Sequence, residues 1–226
     1  MRALVLLSGG IDSTTCLAMA IDRYGKENVV ALSALYGQKH TKELKAARDI
    51  ANYYNIELIE IDLVKIFAYS NCSLLSHSKD EIPHSSYAEQ LEETKGETVS
   101  TYVPFRNGLF LSTAASIALS KDCDLILYGA HSDDAAGSAY PDCSPVFNQA
   151  MNEAIWEGSG HQLKIEAPFV NVSKAEVVRI GLELGVPYEL TWSCYEGGEK
   201  PCGKCGTCID RAAAFQANQM EDPALR

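Results

Sequence analysis

A short apolar run that breaks into Ser8-Gly9-Gly10 and at once opens a helix leaves this chain few architectures. Ala3 to Leu7 is uniformly apolar, as a strand buried on both faces must be. Ser13 to Tyr24 then carries Leu17, Ala20 and Ile21 at helical spacing, and Gly25 closes it. A strand, a tight glycine turn and a helix form the first half of a βαβ unit, whose next strand must run parallel to the first.

The rest of the chain continues that pattern. Val29 to Tyr36 reads as a second strand, Lys39 to Tyr54 as a long helix and Ile56 to Ile61 as a third strand. After Pro104, Leu109 to Leu119 looks helical, Leu125 to Ala130 is a fourth strand, Pro145 to Trp156 a helix and Leu163 to Phe169 a fifth strand. Ser173 to Leu184 is a helix opened by Ser173 with Glu176 three residues on, the pattern of a capping box, and ended by Gly185 and Pro187. A short helix from Cys208 to Ala217 follows. The expectation is a doubly wound α/β fold with a parallel five-stranded sheet and a small C-terminal metal-binding segment. We place the nucleotide domain at residues 1–190 and the cysteine segment with its terminal helix at 191–226. Residues 70–100 interrupt the pattern with Ser, Thr, Glu, Lys and His, and read equally as a lid or as plain surface.

The turn itself is an anion site. Free N–H groups and the helix dipole face a ligand there, and glycines let backbone approach phosphate closely. A Walker loop would carry Lys before its Ser/Thr; here that position is Asp12. The G-x-G-x-x-G dinucleotide pattern is absent too. A carboxylate in a phosphate site repels its ligand unless a cation intervenes, so Asp12 points to Mg²⁺ or to a role in orienting the loop. The candidate nucleotide segment runs through Ser8, Gly9, Gly10, Ile11, Asp12, Ser13, Thr14, Thr15, Cys16, Leu17 and Ala18, with Ser8, Ser13, Thr14 and Thr15 as hydroxyl donors and Cys16 most simply core.

Charge narrows the partners. The formal net charge of −11 disfavours wrapping nucleic acid and favours small-molecule substrates. No run approaches a membrane span, and the first apolar stretch is too short for a signal core, so the expected setting is cytosolic. A homodimer is left open. Eight cysteines are present, and four of them crowd together as Cys194, Cys202, Cys205 and Cys208. Four thiolates suit tetrahedral Zn²⁺ in a closed structural site, with an iron–sulfur cluster as the rival.

Ser8-Gly9-Gly10-Ile11-Asp12-Ser13 resembles the SGGxDS motif of the PP-loop ATP pyrophosphatases. That resemblance implies an adenine nucleotide alpha hydrolase-like fold and cleavage of ATP between its α- and β-phosphates. Four further stretches resemble one branch, the QueC family of 7-cyano-7-deazaguanine synthases. They are Thr101-Tyr102-Val103-Pro104-Phe105-Arg106-Asn107; Gly129-Ala130-His131 with Asp134 and Tyr140-Pro141-Asp142-Cys143; Thr191-Trp192-Ser193-Cys194-Tyr195; and Pro201 to Cys208. In that family an apolar residue usually precedes the arginine after the last cysteine; here Asp210 precedes Arg211. The resemblance implies conversion of 7-carboxy-7-deazaguanine and ammonia to the nitrile through adenylated acid and amide, in queuosine biosynthesis. Other readings are a PP-loop tRNA-modifying enzyme such as a thiolase, or a zinc-ribbon module with a regulatory nucleotide site.

Arg106 is a candidate clamp for phosphate or carboxylate, or else a helix-entry ion pair. Asp134 and Asp142 follow the fourth strand, at the carboxyl edge where such sheets bind ligands. Asp142 suits a guanine-like donor edge, although turn chemistry also favours Asp. We take Asp12, Arg106 and Asp142 as the catalytic candidates. Lys174 could neutralise pyrophosphate but reads more simply as a solvated lysine. His131 is catalytic or a satisfied structural histidine. Trp192 and Tyr195 stack on a base or cover the metal site.

Overall fold

The computed structural model describes residues 1–95, 97–135 and 139–225, the side chains of Asp134 and Ala135 excepted. Five strands form one all-parallel sheet: β1 (Ala3–Leu6), β2 (Val29–Leu35), β3 (Glu57–Asp62), β4 (Leu125–Leu127) and β5 (Lys164–Glu166), in the order β3-β2-β1-β4-β5. β1 is central, with Val5 beside Ala31 on one side and Leu127 on the other.

Strand periodicity divides the core. Ala3, Val5, Ala31 and Leu127 face helices α1 (Ile11–Tyr24), α2 (Lys42–Tyr54), α8 (Lys174–Glu183) and α9 (Gly206–Ala217). Leu4, Leu32 and Ile126 face α5 (Arg106–Ser120) and α7 (Pro145–Gly158) through Leu111, Ala114, Ala118 and Ile155. Each fully buried Leu on these faces contributes roughly 1.5–3 kcal/mol. Helices therefore cover both faces, as expected of a doubly wound sheet. The chain winds outward from β1 to β3, then restarts at β4 on β1's other side. The reversal leaves a crevice beyond the carboxyl ends of β1 and β4.

Several boundaries differ from the sequence expectation. α1 begins at Ile11, two residues early, because Gly10 alone supplies the extended cap. α2 begins only at Lys42. Its expected first residues are held elsewhere: Gln38 bridges Leu75 and accepts from the Tyr36 N–H, while Lys39 N–H donates to the Leu74 carbonyl. Ser173 caps α8 through the Glu176 N–H, but the Glu176 carboxylate turns to Arg179 at 2.6 Å, so the box is half formed. The complete capping box lies inside the polar insert, where Ser86 and Glu89 open α4 (Tyr87–Glu93). The insert is built structure: Leu74, Leu75, Ile82 and Val99 are buried, and α3 (Val64–Phe67) precedes it. A short helix α6 (Ser132–Ala135) follows β4.

Candidate active site

The crevice is a cleft floored by the Ser8–Ser13 turn. Gly9 has φ +89°, and a Cβ there would lie 2.4 Å from the Glu43 carbonyl oxygen, so only glycine lets the turn seat on α2. At Gly129 a Cβ would come within 2.9 Å of the Asp12 carbonyl oxygen, so β4's end must also be bare to pass the turn. Ser8, Gly10, Ile11, Asp12 and Ser13 line the cleft. Ser13 Oγ lies 3.0 Å from Ser8 Oγ and donates to the Gly10 carbonyl.

The later residues of the candidate nucleotide segment do not line the cleft. Thr14 Oγ1 donates to the Gly10 carbonyl at 2.7 Å, and Thr15 Oγ1 to the Ile11 carbonyl with Tyr188 Oη beside it. Cys16 and Leu17 are fully buried, with Ala18 beside them in the core that anchors the turn. Their hydroxyls and methyls stabilise α1 rather than face a ligand.

Asp12 does not stand alone in the site. Lys174, from the first turn of α8, donates to its Oδ2 at 2.7 Å, and His131 Nε2 lies 3.8 Å from its Oδ1. Lys174 Nζ is also 3.4 Å from His131 Nε2. Lys174 is therefore a half-buried cleft residue, with its side chain 15% exposed, rather than a solvated lysine. His131 is 1% exposed and packs beneath the pair. Burial alone would raise the Asp12 pKa. The charges of Lys174 and His131 and the Lys174 hydrogen bond outweigh it and leave the carboxyl below its usual range. Asp12 is thus held ionised beside a lysine brought from α8.

Arg106 opens α5 after Phe105, which adopts φ 55°. Its guanidinium donates to Tyr36 Oη at 3.3 Å and covers the Tyr36 ring. Burial would favour its neutral form, but Tyr36, Tyr195 and Asp142 outweigh that and raise its pKa, so it stays charged in the cleft. Asp142 is 4% exposed and lies behind the cleft wall. Its Oδ2 accepts from the Asn107 N–H at 2.8 Å, while Asn107 Nδ2 donates to the Asp142 carbonyl and to Cys143 Sγ. Asp142 thus holds the N-terminus of α5, where a carboxylate is favoured. Asp134's side chain lies outside the described residues.

Two carboxyl groups in the cleft were not singled out from sequence. Glu43, on the first turn of α2, faces Arg106; burial pushes its pKa up to about 7, with Arg106 opposing. Asp210, noted only as a departure from the family pattern, lines the cleft from α9. No local signal marks Glu43, because its neighbours form an ordinary amphipathic helix. Aromatic walls complete the site: Tyr36, Phe110, Tyr87, Tyr140, Trp192 and Tyr195. Tyr87 and Tyr195 share a 2.9 Å hydrogen bond, so the polar insert and the cysteine segment close one side together.

The four clustered cysteines converge. Their Sγ atoms all lie within 4.8 Å of one another, and Cys194, Cys205 and Cys208 are buried. Four sulfurs about 2.3 Å from one tetrahedral ion would sit roughly 3.8 Å apart, so the donor set fits. Backbone N–H groups of Lys204 and Cys205 point at Cys202 Sγ, and that of Cys202 at Cys194 Sγ. Such bonds favour thiolate. The group is wired to the phosphate turn: Trp192 N–H donates to the Gly9 carbonyl at 2.9 Å, and Trp192 Nε1 to the Cys194 carbonyl. Arg211 binds Asp222 at 2.6 Å, Thr191 Oγ1 and Ser193 Oγ, fixing the same strip from below. Asp210 therefore leaves the helix packing intact.

Residues 2–219 match the family described as queuosine biosynthesis protein QueC. Among curated proteins, the chain is 42% identical to the 7-cyano-7-deazaguanine synthase of Archaeoglobus fulgidus, over all of this chain and 90% of that one. It is 43% identical to the enzyme of the same name from Caldicellulosiruptor bescii, over 99% and 96%. Among solved structures, NMN synthetase from Francisella tularensis superposes with a TM-score of 0.52 at 15% identity, covering 89% of this chain and 70% of that one. The U34-tRNA thiolase NcsA of Methanococcus maripaludis gives 0.50 at 16% identity, over 83% and 58%. These two likenesses bear on the fold alone. No helix among the described residues is long and apolar enough to cross a membrane.

Proposed function

The chain belongs to the QueC family, and from that premise we propose that it is a carbon–nitrogen ligase making 7-cyano-7-deazaguanine from 7-carboxy-7-deazaguanine, ammonia and ATP, with release of AMP and pyrophosphate. The observation that carries this reading is the match to named 7-cyano-7-deazaguanine synthases along the whole chain. The cleft supplies chemistry of the right kind.

A carboxylate is a poor electrophile because its leaving group would be oxide. Its attack on the α-phosphorus of ATP makes an acyl adenylate, which ammonia converts to the amide. A second adenylation, on the amide oxygen, lets AMP leave as the nitrile forms. Both rounds use one phosphate turn. In this reading the N–H groups of Gly10 to Ser13 and the Lys174 ammonium hold the pyrophosphate portion, where preorganised donors stabilise developing charge. Arg106 binds the substrate carboxylate, a planar match. The aromatic walls stack on the two heterocycles. Asp142 acts by holding Arg106 and Asn107 in place. Asp12 Oδ1 is buried without a hydrogen bond and is ionised, which suits a Mg²⁺ ligand; bound Mg²⁺ would neutralise phosphate charge. The closed four-cysteine set suits structural Zn²⁺, which would pin the Trp192 strip against the turn.

The test is direct. Purified protein with ATP and ammonia should release AMP only when 7-carboxy-7-deazaguanine is added, with the amide and then the nitrile appearing by mass spectrometry. AMP formation indifferent to that acid would refute the substrate. Elemental analysis should find one zinc per chain; iron with visible absorbance would refute the metal.

A further inference from the structure

The nitrogen chemistry of this reaction needs a base. Ammonia reaches the enzyme at neutral pH mainly as ammonium, which has no lone pair. The amide must shed one N–H proton when its oxygen is adenylated and a second when the nitrile forms. Backbone amides, Lys174 and Arg106 are donors and cannot accept these protons. Asp12 is already paired with Lys174, and its depressed pKa makes it a weak base. The cleft tyrosines Tyr36 and Tyr87 are raised by burial and stay protonated.

Glu43 is placed differently. It lines the cleft from the first turn of α2, beside the phosphate turn, its own carbonyl against Gly9. Its carboxyl makes no ion pair at salt-bridge distance with Arg106, although the two feel each other's charge. It is thus a carboxylate open to the cleft, next to the arginine that would hold the acid being activated. Burial raises its pKa to about 7, near the value a general base needs at neutral pH. The other charged or titratable groups lining the cleft are Tyr36 from β2's end, Arg106 from α5, Asp12 from α1, Lys174 from α8, Asp210 from α9, Tyr128 just after β4, Cys143, and Tyr87, Tyr140 and Tyr195.

We propose that Glu43 is the general base of the nitrogen steps. The inference rests on the ligase reading above. In the first round the Glu43 carboxylate takes a proton from ammonium and passes it to solvent; the freed lone pair attacks the acyl carbon, the C–O bond to AMP breaks, and Glu43 takes the second proton that the nitrogen sheds as the neutral amide forms. In the second, the amide oxygen attacks the α-phosphorus, pyrophosphate leaves, and Glu43 takes one N–H proton to leave the adenylated imidate. The remaining N–H proton then passes to Glu43 as the C–O bond breaks, giving nitrile and AMP. Each proton returns to solvent between steps, and no oxidant or reductant is required.

Glu43→Gln tests this by separating adenylation from amination. Exchange of labelled pyrophosphate into ATP, with the acid and no ammonia, reports adenylation alone and should stay within severalfold of wild type. Amide formation with ammonium should fall about 100-fold or more, the usual worth of a general base. Hydroxylamine, largely uncharged at neutral pH, should still trap the acyl adenylate as hydroxamate at near wild-type rate. In wild type, hydroxamate formation should respond less to pH between 6 and 8 than amide formation does. Ammonium-dependent amide formation within about threefold of wild type overturns the proposal, as does equal loss of hydroxamate and amide. Absence of acid-dependent exchange in wild type would instead refute the ligase reading itself.

Discussion

Replacing Lys174 with Met tests whether the phosphate site runs on a lysine borrowed from α8. Met keeps much of the aliphatic stem and removes only the charge. In the intact cleft the ammonium sits 2.7 Å from Asp12 Oδ2. Without it, the pyrophosphate portion loses the ammonium proposed to hold it. Two unit charges of opposite sign about 4 Å apart, at an effective dielectric near 20, attract by about 4 kcal/mol. At about 1.36 kcal/mol per decade, substrate-dependent pyrophosphate release should fall on the order of 1,000-fold in kcat/KM. Activity within tenfold of wild type would refute Lys174 as a source of phosphate affinity.

Arg211→Met should leave the Asp222 carboxylate buried without its partner, both side chains being 5% exposed. The expected cost is about 3–5 kcal/mol, or roughly 6–20 °C in Tm for a chain of this size; Arg211→Met with Asp222→Leu should recover most of it in a thermal melt. A strong chelator should remove one metal per chain and shift Trp192 fluorescence, because its indole N–H is bonded to the Cys194 carbonyl; unchanged emission at full metal loss would break that link. Glu43→Gln should stabilise the protein at pH 8. The folded pKa of Glu43 is raised to about 7 from 4.5, so the stability is fully present below about 4.5 and lost as pH rises through 7. The gain should therefore be near zero at pH 4.5 and reach a plateau above pH 7, read from paired denaturant titrations.

The strands and the phosphate turn were legible because their signals are local. An apolar run of five residues ending in Ser-Gly-Gly has one economical fold, and five such runs with intervening helices give a parallel sheet. The cysteine spacing was equally direct, since four thiols within fifteen residues can reach one ion. The insert was harder to read. Its polar composition concealed Ser86 and Glu89, which form a complete capping box, while the more conspicuous Ser173 and Glu176 form only half of one because Arg179 competes for the carboxylate. Lys174 could not be recognised as a cleft residue, because its partner Asp12 lies far away in sequence and only the packing of α8 on α1 joins them. Glu43 was missed for the same reason: its environment depends on Arg106 and on the Gly9 turn, neither of which is its neighbour in the chain. Asp142 shows the converse. Its motif placed it at the right sheet edge, but its carboxylate holds the start of α5 instead of lining the cleft.

The hydrogen bond from Trp192 to the Gly9 carbonyl has a consequence for synthesis on the ribosome. The phosphate turn emerges well before the strip that braces it. Sheet strands β1 to β3 can assemble during elongation, as nascent domains do. The nucleotide site cannot be complete until the cysteines, α9 and Asp222 have left the exit tunnel. A chain that has reached only β3 therefore carries the Ser8–Ser13 motif without the cleft around it, and that cleft closes only after the Trp192 strip has followed.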